Sequence, residues 1–541
     1  MEPVTTVLVL ILAVTISGTI VRISPIPLPL PLVQIVLGAL VAAVANVGVE
    51  LKPEVFFLLF LPPLLFLDGW RIPKDGLRRD RHTVLALALG LVVFTVLGVG
   101  LFVNLLIPAM PLPVAFALAA VLSPTDPVAV SAIAERVPFP RRLMQILEGE
   151  ALFNDASGLV CMRFAVAAAL TGAFSLVDAF GVFLWLALGG IVVGVGATIG
   201  ITTAKNWISG HYGEEPGSQI LISLLIPFGA YLMAERLGCS GILAAVSAGI
   251  TMSHVEQSGR ALARTRLQRA AVWDTISFAA NGTIFVLLGE QLPRLVTSVA
   301  LAEREAGRHG EFWLLLYVVA INAALFALRF VWVWVSLRYT MFRHASTRPP
   351  WQLVAATSLA GARGAVTLAG ILTLPLALPD GSPFPTRDLA IFLAAGAIIF
   401  SLIAASIGLP LLLHGLTLPA EEKRQAREDR ARRNAAEAAI RAVGRAQHDL
   451  GENRGEVDLY AEVGTRIMSQ YRQRIERRTK SGDASDRNTA VGQIEQQLYL
   501  VGMRAERDEL YRMARAHEIP DEMARRLVGE VDLLETRFTS L

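Results

Sequence analysis

The chain has 541 residues, 54% of them hydrophobic and only 18% charged, with a net charge of +3. A soluble protein of this size carries nearer a quarter charged residues, and the mean hydropathy here is +0.53. The apolar residues come in long runs, which places the chain among membrane proteins, and the small net charge gives no support to nucleic-acid binding. Cys161 and Cys239 both lie within apolar runs and imply neither a disulfide framework nor a metal site. No basic region precedes the first apolar run, so Met1-Glu2-Pro3 is expected to open a retained helix and not a cleaved leader.

A helix needs about 20 apolar residues to cross the hydrocarbon core, and about thirteen runs qualify. They are 4–21, 27–48, 54–70, 83–107, 112–134, 143–170, 177–203, 218–235, 239–253, 272–292, 311–337, 350–378 and 388–416. The third carries Pro62 and Pro63, and the ninth is short and flanked by Gly238 and Gly241. Basic clusters follow the odd-numbered third, fifth, ninth and eleventh runs. They are Arg71 to Arg81, Arg136 to Arg142, Arg260 to Arg269, and Arg338 to Arg348. Basic residues mark the cytoplasmic side, so the N-terminus is expected outside and the C-terminus in the cytoplasm.

From about residue 419 the composition changes. Glu421–Asn434 is almost wholly charged, Ser481–Asn488 reads as a linker, and apolar residues recur at helical spacing around Leu498–Met513 and Met523–Leu534. The expected organisation is a membrane domain over 1–418 and a helical cytoplasmic tail over 419–541, large enough for a small domain and without a catalytic motif.

A charge at mid-membrane costs about 3 kcal/mol on insertion scales, so the charged positions inside the runs are the informative ones. The fifth run holds Ser123-Pro124-Thr125-Asp126-Pro127. Neither proline can donate to the carbonyl four residues back. Freed carbonyls and a carboxylate therefore gather at a break that is tolerated only where it is buried in protein or lines a cavity. A kinked helix with a satisfied carboxylate is the plainer alternative.

The sixth run holds Glu148, Glu150, Asn154 and Asp155. Glu150 and Asn154 share a face at i,i+4. Asp155 points about 100° away, near the face of Glu148. Glu148 reads as an interfacial side chain reaching water. Arg163, two turns beyond Asp155, is expected to snorkel outward.

The eleventh run holds Asn322 and Arg329, and Arg329 lies at a depth similar to Glu150. A buried interhelical Glu150–Arg329 pair is the economical reading, with a structural role. The twelfth run holds Gly361-Ala362-Arg363-Gly364, which suggests a second unwound helix. If runs one to six and eight to thirteen are inverted repeats, the two breaks correspond, the pattern that marks a transporter's central site. Arg363 would offset the helix-end dipoles where the breaks cross. A packing glycine pair with a snorkelling arginine is the alternative.

At these residues the chain resembles the bacterial sodium/proton antiporters of the monovalent cation:proton antiporter-1 family. The matching segments are Ser123–Val130, Glu148–Val160, Ala327–Phe330 and Gly361–Val366, within residues 1–418. The resemblance implies an all-α membrane protein of about thirteen helices in two inverted repeats with crossed broken helices. It also implies a homodimer in the bacterial plasma membrane, alternating access and no cofactor. Asp155 matches the carboxylate that binds cation and proton, Thr125 and Asp126 match the unwound segment of the Na⁺ site, and Asn154 matches the family's asparagine beside it. Glu150 and Arg329 match an interhelical ion pair. Where some relatives carry a serine, this chain has Ala151, so one ligand is expected to be missing or replaced by water.

A small hard cation needs oxygen ligands, and carboxylates, the Thr125 hydroxyl and carbonyls freed at the break supply them. One carboxylate holding either Na⁺ or H⁺ gives one-for-one exchange without net charge movement. The expectation is therefore a secondary transporter and not an enzyme. K⁺/H⁺ exchange stays open, because ligand type does not set cavity size. A cation channel would present filters or charge rings instead. An intramembrane protease built on Asp126 and Asp155 leaves the prolines and Asn154 unexplained.

Overall fold

The computed structural model describes residues 2–24, 29–45, 53–72, 74–126, 130, 139–172, 176–213, 215–256, 263–297, 311–340, 350–414, 422–454, 457–479, 498–513, 516 and 521–539. Pro127, Arg136, Arg260, Arg343, Arg348 and the linker Ser481–Asn488 lie outside the described residues. The chain divides into two compact units, Met1–Thr417 and Leu418–Leu541. Among the described residues there is no strand, only an isolated bridge between Ala377 and Pro383.

The first unit is built from α1 (Glu2–Ile23), α2 (Leu30–Ala45), α3 (Pro53–Arg71), the short α4 (Lys74–Arg79), α5 (Arg81–Leu106) and α6 (Leu112–Leu122). They are followed by α7 (Arg141–Thr171), α8 (Leu176–Tyr212), α9 (Pro216–Arg236), α10 (Gly241–Glu256) and α11 (Ala263–Thr297). The last four are α12 (Glu311–Thr340), α13 (Trp351–Leu359), α14 (Ala365–Leu372) and α15 (Arg387–Leu413). Among the described residues, 8 helices are long and apolar enough to cross a membrane. The second, fifth, ninth and twelfth runs fold as shorter or interrupted helices. The twelfth is two pieces, α13 and α14, separated by a non-helical stretch at the Gly361-Ala362-Arg363-Gly364 motif.

These helices pack as two bundles. One gathers α1, α2, α3, α8, α9, α10 and α11; the other gathers α5, α6, α7 and α12 to α15. Within the first bundle α2 and α11 approach closely because Gly38 and Gly289 each face the partner helix's backbone, where a β-carbon would overlap a carbonyl. Close backbone approach through small residues is how membrane helices gain packing when lipid supplies no hydrophobic drive. The second bundle buries Leu118, Ala119, Ala120 and Leu122 of α6 against α5 and α15. Fewer contacts join the bundles. They run through α2, α3, α10 and α11 on one side and α7, α14 and α15 on the other.

Arg269 belongs not to the loop after the ninth run, as its sequence position suggests, but to α11, which begins at Ala263, six residues ahead of it. Arg269 is therefore on a packed helix and 1% exposed. It pairs with Glu256 and lies 5.7 Å from the centre of the Trp70 ring. Trp70 Nε1 donates to the same carboxylate at 2.6 Å, and Trp273 stacks on Phe66 at 5.3 Å. A buried guanidinium is tolerated because a carboxylate and an aromatic face replace water.

The second unit holds two long helices, α16 (Glu422–Arg454) and α17 (Val457–Thr479), which pack on each other. A helix over 498–513 is tied to α18 (Asp521–Thr539) through Arg507, which pairs with Asp532 and Glu535.

Candidate functional site

Helix α6 stops at Leu122, and Ser123 to Asp126 run on without helical hydrogen bonds. Pro124 is the local cause, since it brings no amide hydrogen to continue the ladder. The break at Gly361–Gly364 lies against this one. The Asp126 amide donates to the Ala362 carbonyl at 2.7 Å, so the two unwound segments satisfy each other's backbone. A β-carbon at Gly364 would overlap the Asp126 carboxylate, which makes glycine a requirement of the crossing. Arg363 is 6% exposed. Its Nε donates to the Leu122 carbonyl at 3.1 Å, the terminal carbonyl of α6, and its Nη1 donates to Gly361 at 2.9 Å. A cation thus sits at the negative end of a helix, as the dipole favours. The Arg363 amide is in turn held by Ser401 Oγ of α15 at 3.0 Å.

Helix α7 crosses beside the break with two different faces. One carries Glu150 and Asn154, both 1% exposed. Arg329 of α12 meets Glu150 in a two-pronged pair, Nη1 to Oε1 at 2.5 Å and Nη2 to Oε2 at 2.8 Å. The Asn154 amide donates to Thr125 Oγ1 at 3.0 Å, and the Thr125 hydroxyl donates to Glu150 at 3.4 Å. The chain Arg329–Glu150–Thr125–Asn154 therefore links α12, α7 and the break. Asn154 Oδ1 ends it as a buried acceptor without a hydrogen-bond partner among the described residues.

The other face carries Ala151 and Asp155, one turn apart. Both line a cavity of about 60 Å³ between the two bundles. Pro124, Thr125 and Asp126 complete this wall, and Gly364, Val366 and Thr367 continue it along α14. The opposite wall is made by Leu61, Leu65 and Asp68 of α3 and by Asn281 of α11. Asp68, Asp126 and Asp155 are close enough for their like charges to repel. Asp155 makes no hydrogen bond or ion pair among the described residues. No three acidic, histidine or cysteine side chains among them close around a single point. The carboxylates are spread along the cavity wall instead.

Of the residues singled out in the sequence, Asp155, Asp126 and Thr125 meet at the cavity. Asn154 is not among the side chains lining it, and Glu150 and Arg329 stand behind it. Sequence reasoning missed Asp68 and Asn281. Asp68 sits three residues before Arg71 near the end of α3, where a carboxylate passes for an interfacial one. Asn281 is uncharged and gives no insertion penalty to notice.

The sequence profile described as the transmembrane sodium/hydrogen exchanger matches residues 9–415. The chain belongs to the sodium/hydrogen exchanger family. An exchanger of this family, YjcE of Escherichia coli strain K12, is 40% identical over 99% of this chain and 98% of its own length. The sodium, potassium, lithium and rubidium/H(+) antiporter of Bacillus pumilus is 37% identical, covering 100% of this chain and 78% of its own. Among solved structures, the sodium proton antiporter MjNhaP1 of Methanocaldococcus jannaschii shares the fold. Its TM-score is 0.58 at 20% identity, over 77% of this chain and 99% of that one. The exchanger is accordingly an all-α, multi-pass membrane transporter that moves ions without a cofactor, and not an enzyme.

Proposed function

We propose that this exchanger moves Na⁺ against H⁺ one for one, with Asp155 holding each in turn. The observation that carries the reading is the cavity between the bundles. It brings Asp155, Asp126 and Asp68 together beside two crossed, unwound segments. Asp155 has no cationic partner among the described residues, so a proton or a cation from the cavity is what can neutralise it. A carboxylate cannot bind both at once, so each displaces the other. Thr125 and Asp126 supply further oxygens, and Asp68 receives or releases the cation at the mouth, where it is exposed. Because one charge replaces one charge, the cycle moves none.

The division into two bundles supports an alternating-access mechanism for this chemistry. The crossed segments, α7 and Asp155 belong to one bundle, and Asp68 and Asn281 to the other. Sliding one past the other would turn Asp155 from one side of the membrane to the other, as in transporters with central broken helices. Arg71, Arg78, Arg79, Arg142, Arg266 and Arg338 lie at helix ends that would share the cytoplasmic side. This supports a plasma-membrane protein with an outside N-terminus, in which Asp68 faces the cytoplasm. We place it there as a homodimer, with residues 419–541 as a regulatory tail.

The test is proton flux in sealed proteoliposomes driven by a Na⁺ gradient. Wild type should exchange, and Asp155→Asn should abolish exchange while the protein stays folded. Persistence of exchange in Asp155→Asn would overturn the role of Asp155. Flux driven by membrane potential alone, with no ion gradient, would overturn electroneutrality. K⁺ is the second reading, favoured by the Bacillus relative's named cations. Running the assay with K⁺ and Li⁺ decides it.

A further inference from the structure

We propose that Asn281 is a cation ligand on the scaffold wall of the cavity and sets the preference among monovalent cations. The proposal rests on the exchange reading above. Asn281 lines the cavity from α11, across from Ala151 and Asp155 of α7. Its position on the helix is fixed from behind. Gly282, one residue on, packs against Val14 of α1 and Gln34 of α2, and Gly289 packs against Ile35. A step of one residue turns a side chain about 100° around a helix, which carries Asn281 off that packed face and towards the cavity.

Ser277 Oγ, one turn back on α11, accepts a hydrogen bond from Asn281 Nδ2 at 3.3 Å. This contact occupies the donor end and leaves the carbonyl oxygen available as a ligand. A neutral amide oxygen is a hard ligand of the kind that replaces water around alkali and alkaline-earth cations.

The facing wall leaves such a ligand room to act. Ala151 stands one turn before Asp155 and presents only a methyl group, so the α7 wall offers Asp155 without a neighbouring side-chain oxygen from the turn below. Asn281 supplies an oxygen from the opposite direction. Ligands on two walls constrain the radius of the ion between them, whereas ligands on one wall plus water do not. Being uncharged, Asn281 alters affinity and selectivity without altering the number of charges exchanged. Because it belongs to the bundle opposite Asp155, it contacts the ion only while the two walls face each other.

The experiment measures half-saturating Na⁺, Li⁺ and K⁺ for proton-coupled exchange in proteoliposomes. The variants are Asn281→Ala and the double variant Asn281→Ala with Ala151→Ser, with wild type and Asp155→Asn alongside. Asn281→Ala should raise half-saturating Na⁺ by about tenfold and that of K⁺ by less, with the maximal rate at saturating Na⁺ changed by less than about twofold. Ala151→Ser, which returns an oxygen one turn from Asp155, should recover most of the Na⁺ affinity. Unchanged half-saturation for all three cations overturns the proposal. So does a loss of maximal rate alone, or an equal loss of affinity for all three that Ala151→Ser does not recover. If wild type fails to exchange, or Asp155→Asn continues to, the exchange reading itself has failed. A normal wild type and a dead Asp155→Asn with an unaffected Asn281→Ala count against Asn281 alone.

Discussion

The two faces of α7 carry acidic groups under opposite conditions. On one, Glu150 is 1% exposed and meets Arg329 through both terminal guanidinium nitrogens, with Thr125 and Asn154 continuing the network. On the other, Asp155 opens to a cavity and shares it with Asp126 and Asp68. The first face has its countercharge built in, at a fixed distance. On the second, Asp155 has no cationic partner among the described residues. A buried pair that is complete binds nothing, and its contribution is to hold α7, α12 and the broken segment in register. A carboxylate without a countercharge is costly in a membrane, and on the proposed reading a cation or proton relieves that cost. On the proposed reading, the position of Arg329 separates scaffold from site.

The largest effect should come from breaking the paired face. Arg329→Ala leaves the Glu150 carboxylate buried without its partner, at a cost of about 3–5 kcal/mol. Thermal unfolding in detergent should show a marked loss of Tm, with little folded protein recovered from membranes. The double variant Glu150→Leu with Arg329→Met removes both charges and should recover much of that stability. If Arg329→Ala unfolds no earlier than wild type, the pair is not the scaffold, and the contrast between the faces collapses.

The open face should respond in transport and not in folding. Asp68→Asn removes a charge that is already exposed to the cavity, so thermal unfolding should be nearly unchanged. Half-saturating Na⁺ should rise by roughly tenfold, the loss of about 1.4 kcal/mol of ion binding. A fall in Tm with unaltered Na⁺ dependence would move Asp68 from the site to the scaffold.

The contrast also explains what could be read in the sequence. Asp126 beside Pro124, the Gly-flanked Arg363, and Glu150 with Arg329 are each improbable in an apolar run unless something compensates them. The breaks and the pair were therefore visible as violations of the membrane's rules. Asp68 violates nothing, since it lies near a helix end among basic residues. Only the packing of α3 against α7 and α14 delivers it to the cavity. Arg269 failed for a related reason. Periodicity started the tenth run at 272, whereas the helix starts at Ala263, so an arginine in the core passed for a loop charge. The division of the membrane unit into two bundles had no signal at all, because helix partners are chosen by small residues such as Gly38 and Gly289 whose contacts are set in three dimensions.

Outside the membrane, Asp80 offers a smaller test of pairing. Burial acts to raise the Asp80 pKa. Hydrogen bonds from Arg142 and Arg79, and the charges of both, outweigh it and hold the carboxyl below its ordinary value of 3.8. Arg142 reaches both carboxylate oxygens, at 2.6 and 3.2 Å, and so ties the start of α7 to the start of α5. A group whose folded pKa is depressed contributes fully above its unfolded value and loses that contribution as pH falls through the folded one. Asp80→Asn should therefore lower stability by about 1–2 kcal/mol at neutral pH. The difference from wild type should close only below about pH 4. An equal difference at neutral pH and at pH 3 would mean that packing, and not charge, accounts for the loss.

The smallest effect is expected where an ion pair joins the two bundles. Arg163 of α7, eight residues beyond Asp155, lies 3.9 Å from Glu235 of α9, and the two side chains are 61% and 36% exposed. Glu235 is also held by the Gly241 amide at 3.3 Å, so its position does not depend on Arg163. A pair this long and this wet contributes about 0–1 kcal/mol. If the bundles slide as proposed, this contact breaks in every cycle, and a strong one would trap the exchanger in a single state. Arg163→Ala should accordingly leave Tm within about a degree and change the exchange rate by less than about threefold, in line with that small energy. A rate change of tenfold or more at constant Tm would show that this contact, and not the cavity chemistry, limits the movement of one bundle past the other.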